Sequence, residues 1–174
     1  MLYKKTWGKA DEVQIIVVGT GELAATGLPN RILKTYALGS CVALILLDPI
    51  CRTVGMAHIA LPDSRINAIS LNKRPAYFAD KGIPALFDEM KRAGGFVSSD
   101  SLIIKMVGGA SVLDPHKYFN IGKKNILSIK KYLWRYKMGP IAEDLGGDIS
   151  RTVTVDSTSG IVTVTSHGKG EWTL

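Results

Sequence analysis

Cysteine is scarce in this chain: two residues in 174, Cys41 and Cys51, ten positions apart. Such a pair makes neither a disulfide framework nor a metal-ligand spacing, and a reducing compartment keeps both thiols free. No metal or cofactor is called for. Histidine is as scarce, with only His58, His116 and His167. Long apolar runs are missing too. The longest, Val42 to Leu47, falls far short of the roughly 20 residues a membrane helix needs, so no membrane insertion is expected. The opening Met1-Leu2-Tyr3-Lys4-Lys5-Thr6-Trp7-Gly8 has no apolar stretch behind its lysines, so the reading expects no secretory signal and a cytoplasmic protein. Gly19-Thr20-Gly21-Glu22 lacks the Lys-Ser/Thr that would make it a phosphate loop, which leaves a turn. Nothing repeats and no linker divides the chain. One domain over 1–174, with a core of about 13–165, is expected.

What is present is a core and a charge. Hydrophobic residues make up 46% and charged residues 21%, which fits a folded chain rather than a disordered one. Twenty-two basic residues face 15 acidic ones, a surplus of +7. That surplus favours an acidic partner such as nucleic acid, an anionic membrane or an acidic protein surface, or else it is a solvated basic face. No recognition motif accompanies it, so no nucleic-acid partner is expected.

Val13 to Val18 reads as a first strand, and Asn30 to Tyr36 as a short extended piece entering Gly39-Ser40. Ala43 to Leu47 is apolar throughout and bounded by turn residues, the pattern of a buried strand. Asp48-Pro49-Ile50-Cys51-Arg52 makes a turn, and Thr53 to Leu61 returns as a strand with Met56, His58 and Ala60 on one face. A polar, basic loop follows from Asp63 to Pro75. A helix is expected from Ala76 to about Ala93, with Phe78, Ala85, Leu86 and Met90 inward and a break or kink at Gly82 and Pro84. Leu102 to Val107 is a further buried strand. Lys123 to Tyr136 is an amphipathic helix with Ile126, Ile129, Leu133 and Tyr136 inward and a lysine-rich outer face, read as solvated first and as a docking surface second. Glu143 to Asp148 reads as turn or loop, and Arg151–Val155 with Ile161–Thr165 as a closing hairpin. The order suggests a mixed α/β sandwich with mostly antiparallel strands.

The stretch from Leu38 to Pro49 carries the chemistry. With Leu47 opposite Thr53, Val42 lies opposite His58; one register step puts Cys41 there instead. Directly opposed residues have Cβ atoms about 5 Å apart, so thiol and imidazole are expected as neighbours. A helix beginning at Ser40 is the competing assignment, disfavoured by Val-Ala-Leu-Ile-Leu-Leu. A neighbouring imidazolium would lower the thiol pKa and later deliver a proton to a leaving group. Backbone amides at Gly39-Ser40-Cys41 are oxyanion candidates, and Thr35 is placed to orient the histidine or a substrate amide. The plain alternative is a cysteine packed as a small hydrophobe beside a histidine satisfied within the sheet, and the residues alone leave it standing. Cys51 reads as structural, and His116 and His167 as surface residues.

Thr35…Leu38-Gly39-Ser40-Cys41-Val42-Ala43…Asp48-Pro49…Gly55-Met56-Ala57-His58…Leu61-Pro62 closely resembles the CheD family, the chemoreceptor glutamine deamidases of bacterial and archaeal chemotaxis. The likeness continues through Gly108-Gly109-Ala110-Ser111, Ile121-Gly122…Asn125 and Ala142-Glu143-Asp144…Gly146-Gly147…Arg151, over roughly residues 13 to 165. It implies Cys41 as nucleophile, His58 as its base and Thr35 as helper, with Gly39, Ser40, Gly108 and Gly109 as substrate-binding or oxyanion residues. It further implies a three-layer α/β/β sandwich similar to the catalytic domain of cytotoxic necrotizing factor toxins. The implied reaction turns receptor glutamines into glutamates through a thioester in chemotaxis signal transduction. The implied partners are cytoplasmic domains of methyl-accepting chemotaxis receptors and a CheC-type phosphatase. Regulatory binding of that phosphatase is the alternative role.

Overall fold

The computed structural model describes residues 12–66, 74–95, 98, 100–112 and 118–174. The strands are β1 (Gln14–Val17), β2 (Leu23–Thr26), β3 (Arg31–Leu38), β4 (Val42–Asp48), β5 (Thr53–Ile59), β6 (Ile103–Gly108), β7 (Ala142–Leu145), β8 (Arg151–Asp156), β9 (Val162–Ser166) and β10 (Gly170–Thr173). Two α-helices, α1 (Ala79–Arg92) and α2 (Ile121–Arg135), and a 3-10 turn at Ser64–Ile66 complete the described elements. One sheet runs β1-β3-β8-β9-β10 and the other β2-β5-β4-β6-β7. Among the described strands β1–β3 and β6–β7 pair in parallel and the other ladders are antiparallel.

Strand β4 explains the layering. All seven of its residues are buried, because both of its faces are covered. Val42, Leu44 and Leu46 join Ala57, Ile59 and the inner faces of α1 and α2 in one cluster. Ala43, Ile45 and Leu47 join Met56, Leu33, Val153 and Val164 in a second, between the sheets. The order of layers is therefore helices, sheet, sheet, as the α/β/β reading expects.

Four local expectations change. Helix α1 starts at Ala79 and is assigned without interruption through Pro84. An interior proline costs roughly 3 kcal/mol, yet Ile83, Leu86, Phe87 and Met90 are each buried, at about 1.5–3 kcal/mol apiece. Burial wins. Ala85 is only half-buried, and Ile83 and Phe87 take the inward positions. In α2 the buried positions are Gly122, Asn125, Ile129 and Leu133, while Tyr136 is exposed and meets the Phe87 ring edge-on. Ala142 to Leu145, expected as loop, is a strand laid parallel on β6. Residues 121–137 hold six cations and no acid, so nearly all of the chain's surplus of seven lies on α2 and its C-terminal cap. His116 and most of the basic loop after Asp63 lie outside the described residues.

Strand β3 makes one further adjustment that the site depends on. Thr35 pairs with Val153 and Leu38 with Arg151, so one extra residue is accommodated between them. Three positions along a regular strand would point the two side chains to opposite faces. The bulge, with Ala37 at φ +53, lets Thr35 and Leu38 both face inward, each fully buried.

Candidate active site

Thr35 reaches across the layer between the sheets. Its Oγ1 lies 2.7 Å from His58 Nδ1 on β5 and 2.7 Å from the Val18 carbonyl at the end of β1. A carbonyl only accepts, and a threonine hydroxyl has one proton to give. The hydroxyl therefore donates to Val18, and His58 Nδ1–H donates to Thr35. That assignment fixes the tautomer and leaves Nε2 with a free lone pair. Nε2 is buried and accepts no hydrogen bond among the described residues. An unsatisfied base nitrogen in a buried position is what a proton acceptor in catalysis requires.

Cys41 sits just before β4, partly buried and packed against the inter-sheet cluster. The register differs from the expected one. Ala43, rather than Val42 or Cys41, lies opposite His58, and Asp48 opposite Thr53. The cause is Asp48 itself: its Oδ1 accepts the Ile50 and Cys51 amides, each at 3.0 Å, and starts the turn only after Asp48 has paired. Cys41 stands two residues before Ala43, so it and His58 are diagonal neighbours on one face rather than an opposed pair. Cys41 and Cys51 bracket the strand at opposite ends, about 20 Å apart at 3.3 Å per residue, too far to bridge.

Burial pushes the Cys41 thiol above its ordinary pKa, opposed by a hydrogen bond from its own backbone amide. Burial pushes His58 below its ordinary value, opposed by the Val18 carbonyl and the Glu22 carboxylate. Both directions run toward a neutral pair, against the imidazolium-stabilised thiolate expected from the sequence.

The corner before β4 is held by its carbonyls. Ala110 N–H donates to Gly39 O at 2.7 Å and Gly109 N–H to Cys41 O at 2.8 Å. Asn125, on the inner face of α2, donates to Ser40 O and to Ala60 O, each at 2.9 Å. Gly109 therefore spends its amide on the corner and is not a free oxyanion donor. Gly108, at φ +114, lets β6 pass close to Cys41: a Cβ there would run into the Cys41 carbonyl. Both glycines support the backbone at Cys41. Gly39 and Ser40 line a cavity of about 220 Å³ with Ala110, Val112 and the start of α2. A hydrocarbon stem with a small polar end matches its largely apolar wall.

Sequence reasoning finds Thr35, Cys41 and His58 and misses what orders them. The Val18 carbonyl carries no side-chain signal. Asn125 carries one, a polar residue on the buried stripe of α2 at positions 122, 125, 129 and 133. Cys51 is exposed, as is His167. Away from the corner, buried Arg151 pairs with Asp144 at 2.8 Å, and Trp172 Nε1 donates to the same carboxylate.

Comparison with known proteins adds a family. Residues 60–166 match the family model described as CheD chemotactic sensory transduction. A Syntrophotalea carbinolica protein called probable chemoreceptor glutamine deamidase CheD is 45% identical over 159 residues, 91% of this chain and 98% of that one. Proteins of the same description from Desulforamulus reducens and Solibacter usitatus are 41% and 39% identical, each over 88% of this chain and 91% and 90% of their own lengths. Among solved structures, the Bacillus licheniformis hypothetical protein YfiH aligns at a TM-score of 0.32 and 18% identity, over 57% of this chain and 38% of that one. The family-model match begins two residues after His58, so the site described above rests on its own geometry.

Proposed function

The chain belongs to the CheD family, and from that premise we propose that it deamidates glutamine side chains on chemoreceptor cytoplasmic domains, with Cys41 as nucleophile. The observation that carries the reading is the fixed tautomer of His58, whose free Nε2 shares a face with Cys41. In the proposed reaction the Cys41 proton passes to Nε2 as Sγ bonds to the carboxamide carbon. The oxyanion collapses, the C–N bond breaks, and the nitrogen leaves as ammonia with the proton from Nε2. Water then attacks the thioester, gives a proton to Nε2 and releases glutamate. The thiolate takes that proton back. The balance is glutamine plus water to glutamate plus ammonium, the released ammonia taking up the carboxyl proton, with no oxidant or metal required.

Thr35 holds the tautomer throughout, and Gly39 and Ser40 shape the wall beside the reacting carbon. The cations of α2, whose first turn borders the cavity, favour an acidic protein surface as substrate. A relationship to the cytotoxic necrotizing factor catalytic domain and binding of a CheC-type phosphatase belong to the same reading. Pull-down of that phosphatase with Cys41→Ala tests whether binding is separable from catalysis.

The test of the chemistry is direct. Incubation with a receptor cytoplasmic fragment is expected to convert glutamine to glutamate, read by peptide mass spectrometry. Cys41→Ala should abolish conversion and Cys51→Ser should leave it unchanged. Conversion by Cys41→Ala at the wild-type rate would refute the assignment, and cleaved chains in the same spectra would turn it into a protease.

A further inference from the structure

We propose that Asn125 is a positioning residue that aims the Cys41 backbone N–H as the oxyanion donor. The inference rests on Cys41 as nucleophile and goes beyond it by naming what sets the donor.

Asn125 is fully buried on α2. A carboxamide has two N–H protons, and both are committed, one to Ser40 O and one to Ala60 O. Ser40 O and Cys41 N belong to the same peptide unit. No cis peptide bond occurs among the described residues, so these two groups point in opposite directions within one plane. Drawing the Ser40 carbonyl toward α2 therefore turns the Cys41 N–H away from α2. That N–H donates to no backbone carbonyl among the described residues and meets only the Cys41 sulfur itself, while the carbonyls of Gly39, Ser40 and Cys41 are all held. An aimed amide beside the reacting sulfur, committed to no carbonyl, is the arrangement that stabilises charge on a tetrahedral intermediate once that sulfur has bonded to carbon. The second carbonyl held by Asn125, that of Ala60, lies two residues beyond His58. One side chain thus sets the nucleophile's corner against the strand that carries the base.

The same residue is costly to the fold. Its Oδ1 is buried with no hydrogen-bond partner among the described residues. A buried unsatisfied acceptor is destabilising, and an apolar residue at this stripe position would avoid it. Stability alone does not account for an asparagine here.

The experiment separates the oxyanion from the thiol. In a Cys51→Ser background, Asn125→Asp and Asn125→Ala are compared with the parent for kcat on a receptor cytoplasmic fragment and for the rate of Cys41 alkylation by iodoacetamide. Alkylation displaces iodide at a saturated carbon and forms no oxyanion, so it reports the Cys41–His58 pair alone. Loss of kcat on the order of 100-fold is expected, the scale of one oxyanion donor removed, with alkylation held within about twofold. A parallel fall in alkylation and kcat, or an unchanged kcat, would overturn the proposal.

Trapping provides the measurement that needs no variant to fold. In a crystal of the wild-type protein with a peptide carrying glutamate γ-semialdehyde, the hemithioacetal oxygen should lie about 2.7–3.1 Å from Cys41 N. An oxygen held elsewhere overturns it as well. Deamidation surviving in Cys41→Ala would instead defeat the nucleophile reading, a separate result.

Discussion

His58 Nδ1 and Thr35 Oγ1 lie 2.7 Å apart although they belong to different sheets, and the hydrogen bond between them decides which imidazole nitrogen is basic. A histidine satisfied within its own sheet would carry no such information. Here the proton is driven onto Nδ1 by a hydroxyl that has already spent its own on Val18.

Replacing Thr35 with valine keeps the volume and removes the acceptor. Nδ1–H would be buried without a partner, at about 1–3 kcal/mol, and the tautomer preference would be lost. We expect kcat to fall about 10- to 100-fold, while Thr35→Ser retains most activity. Steady-state kinetics on a receptor fragment checks both; equal losses in the two variants would argue against the relay.

The pH profile follows from the two shifts. His58 is held below its ordinary pKa, so its basic form persists as pH falls through the normal imidazole range, and the acid limb of kcat/KM should lie below about 6.5. Cys41 is held above its ordinary value, so the alkaline limb should lie above about 8.5. The ultraviolet thiolate band should be absent at pH 7 in a Cys51→Ser background and appear only in the alkaline range. A full thiolate band at pH 7 would establish a preformed ion pair instead. The same His58 shift enters stability. The unfolded chain binds the proton more readily, so stability conferred by neutral His58 is present above the unfolded imidazole pKa and declines as pH falls below it.

Gly108→Ala should damage the fold and the site together. The added Cβ meets the Cys41 carbonyl, and φ +114 is unfavourable for any side chain. Strain of this kind costs about 1–3 kcal/mol before the clash is counted, so Tm should drop by at least about 2 °C. Thermal melting reads it, and an unchanged Tm would show that β6 has room to move.

Ala37→Gly tests the opposite sign. Ala37 occupies the left-handed region in the β3 bulge and is exposed. Relief of about 1–2 kcal/mol of backbone strain is offset by the greater freedom of glycine in the unfolded chain, about 0.4–1 kcal/mol. A net gain of up to about 1.6 kcal/mol in urea denaturation, with kcat unchanged, is the expected outcome.

The central hairpin is legible because β4 is covered on both faces, which forces a continuous apolar run that nothing else in the chain matches. The identities of Thr35, Cys41 and His58 are legible from their spacing and family likeness. Their register is not, because Asp48 decides it by a local turn bond rather than by hydrophobic pattern. Strands β2, β7 and β10 are also hidden. Each is a four-residue edge, and Leu-Ala-Ala-Thr, Ala-Glu-Asp-Leu and Gly-Glu-Trp-Thr are poor in the branched residues that mark central strands. The tautomer lies deeper still, since its last acceptor is a backbone carbonyl.

The β3 bulge has a consequence for how this chain can change over evolutionary time. Tyr36 and Ala37 are exposed and make few demands on side-chain identity, so substitutions there are open. Their number is open in one direction as well: deleting one would remove the bulge and leave Thr35 and Leu38 two positions apart, on the same face of a regular strand. Straightening β3 with both residues kept is what would turn Thr35 or Leu38 outward, stranding His58 or undoing the approach to Cys41. Descendants of this chain can rewrite these two letters, or lose one, so long as that parity is kept.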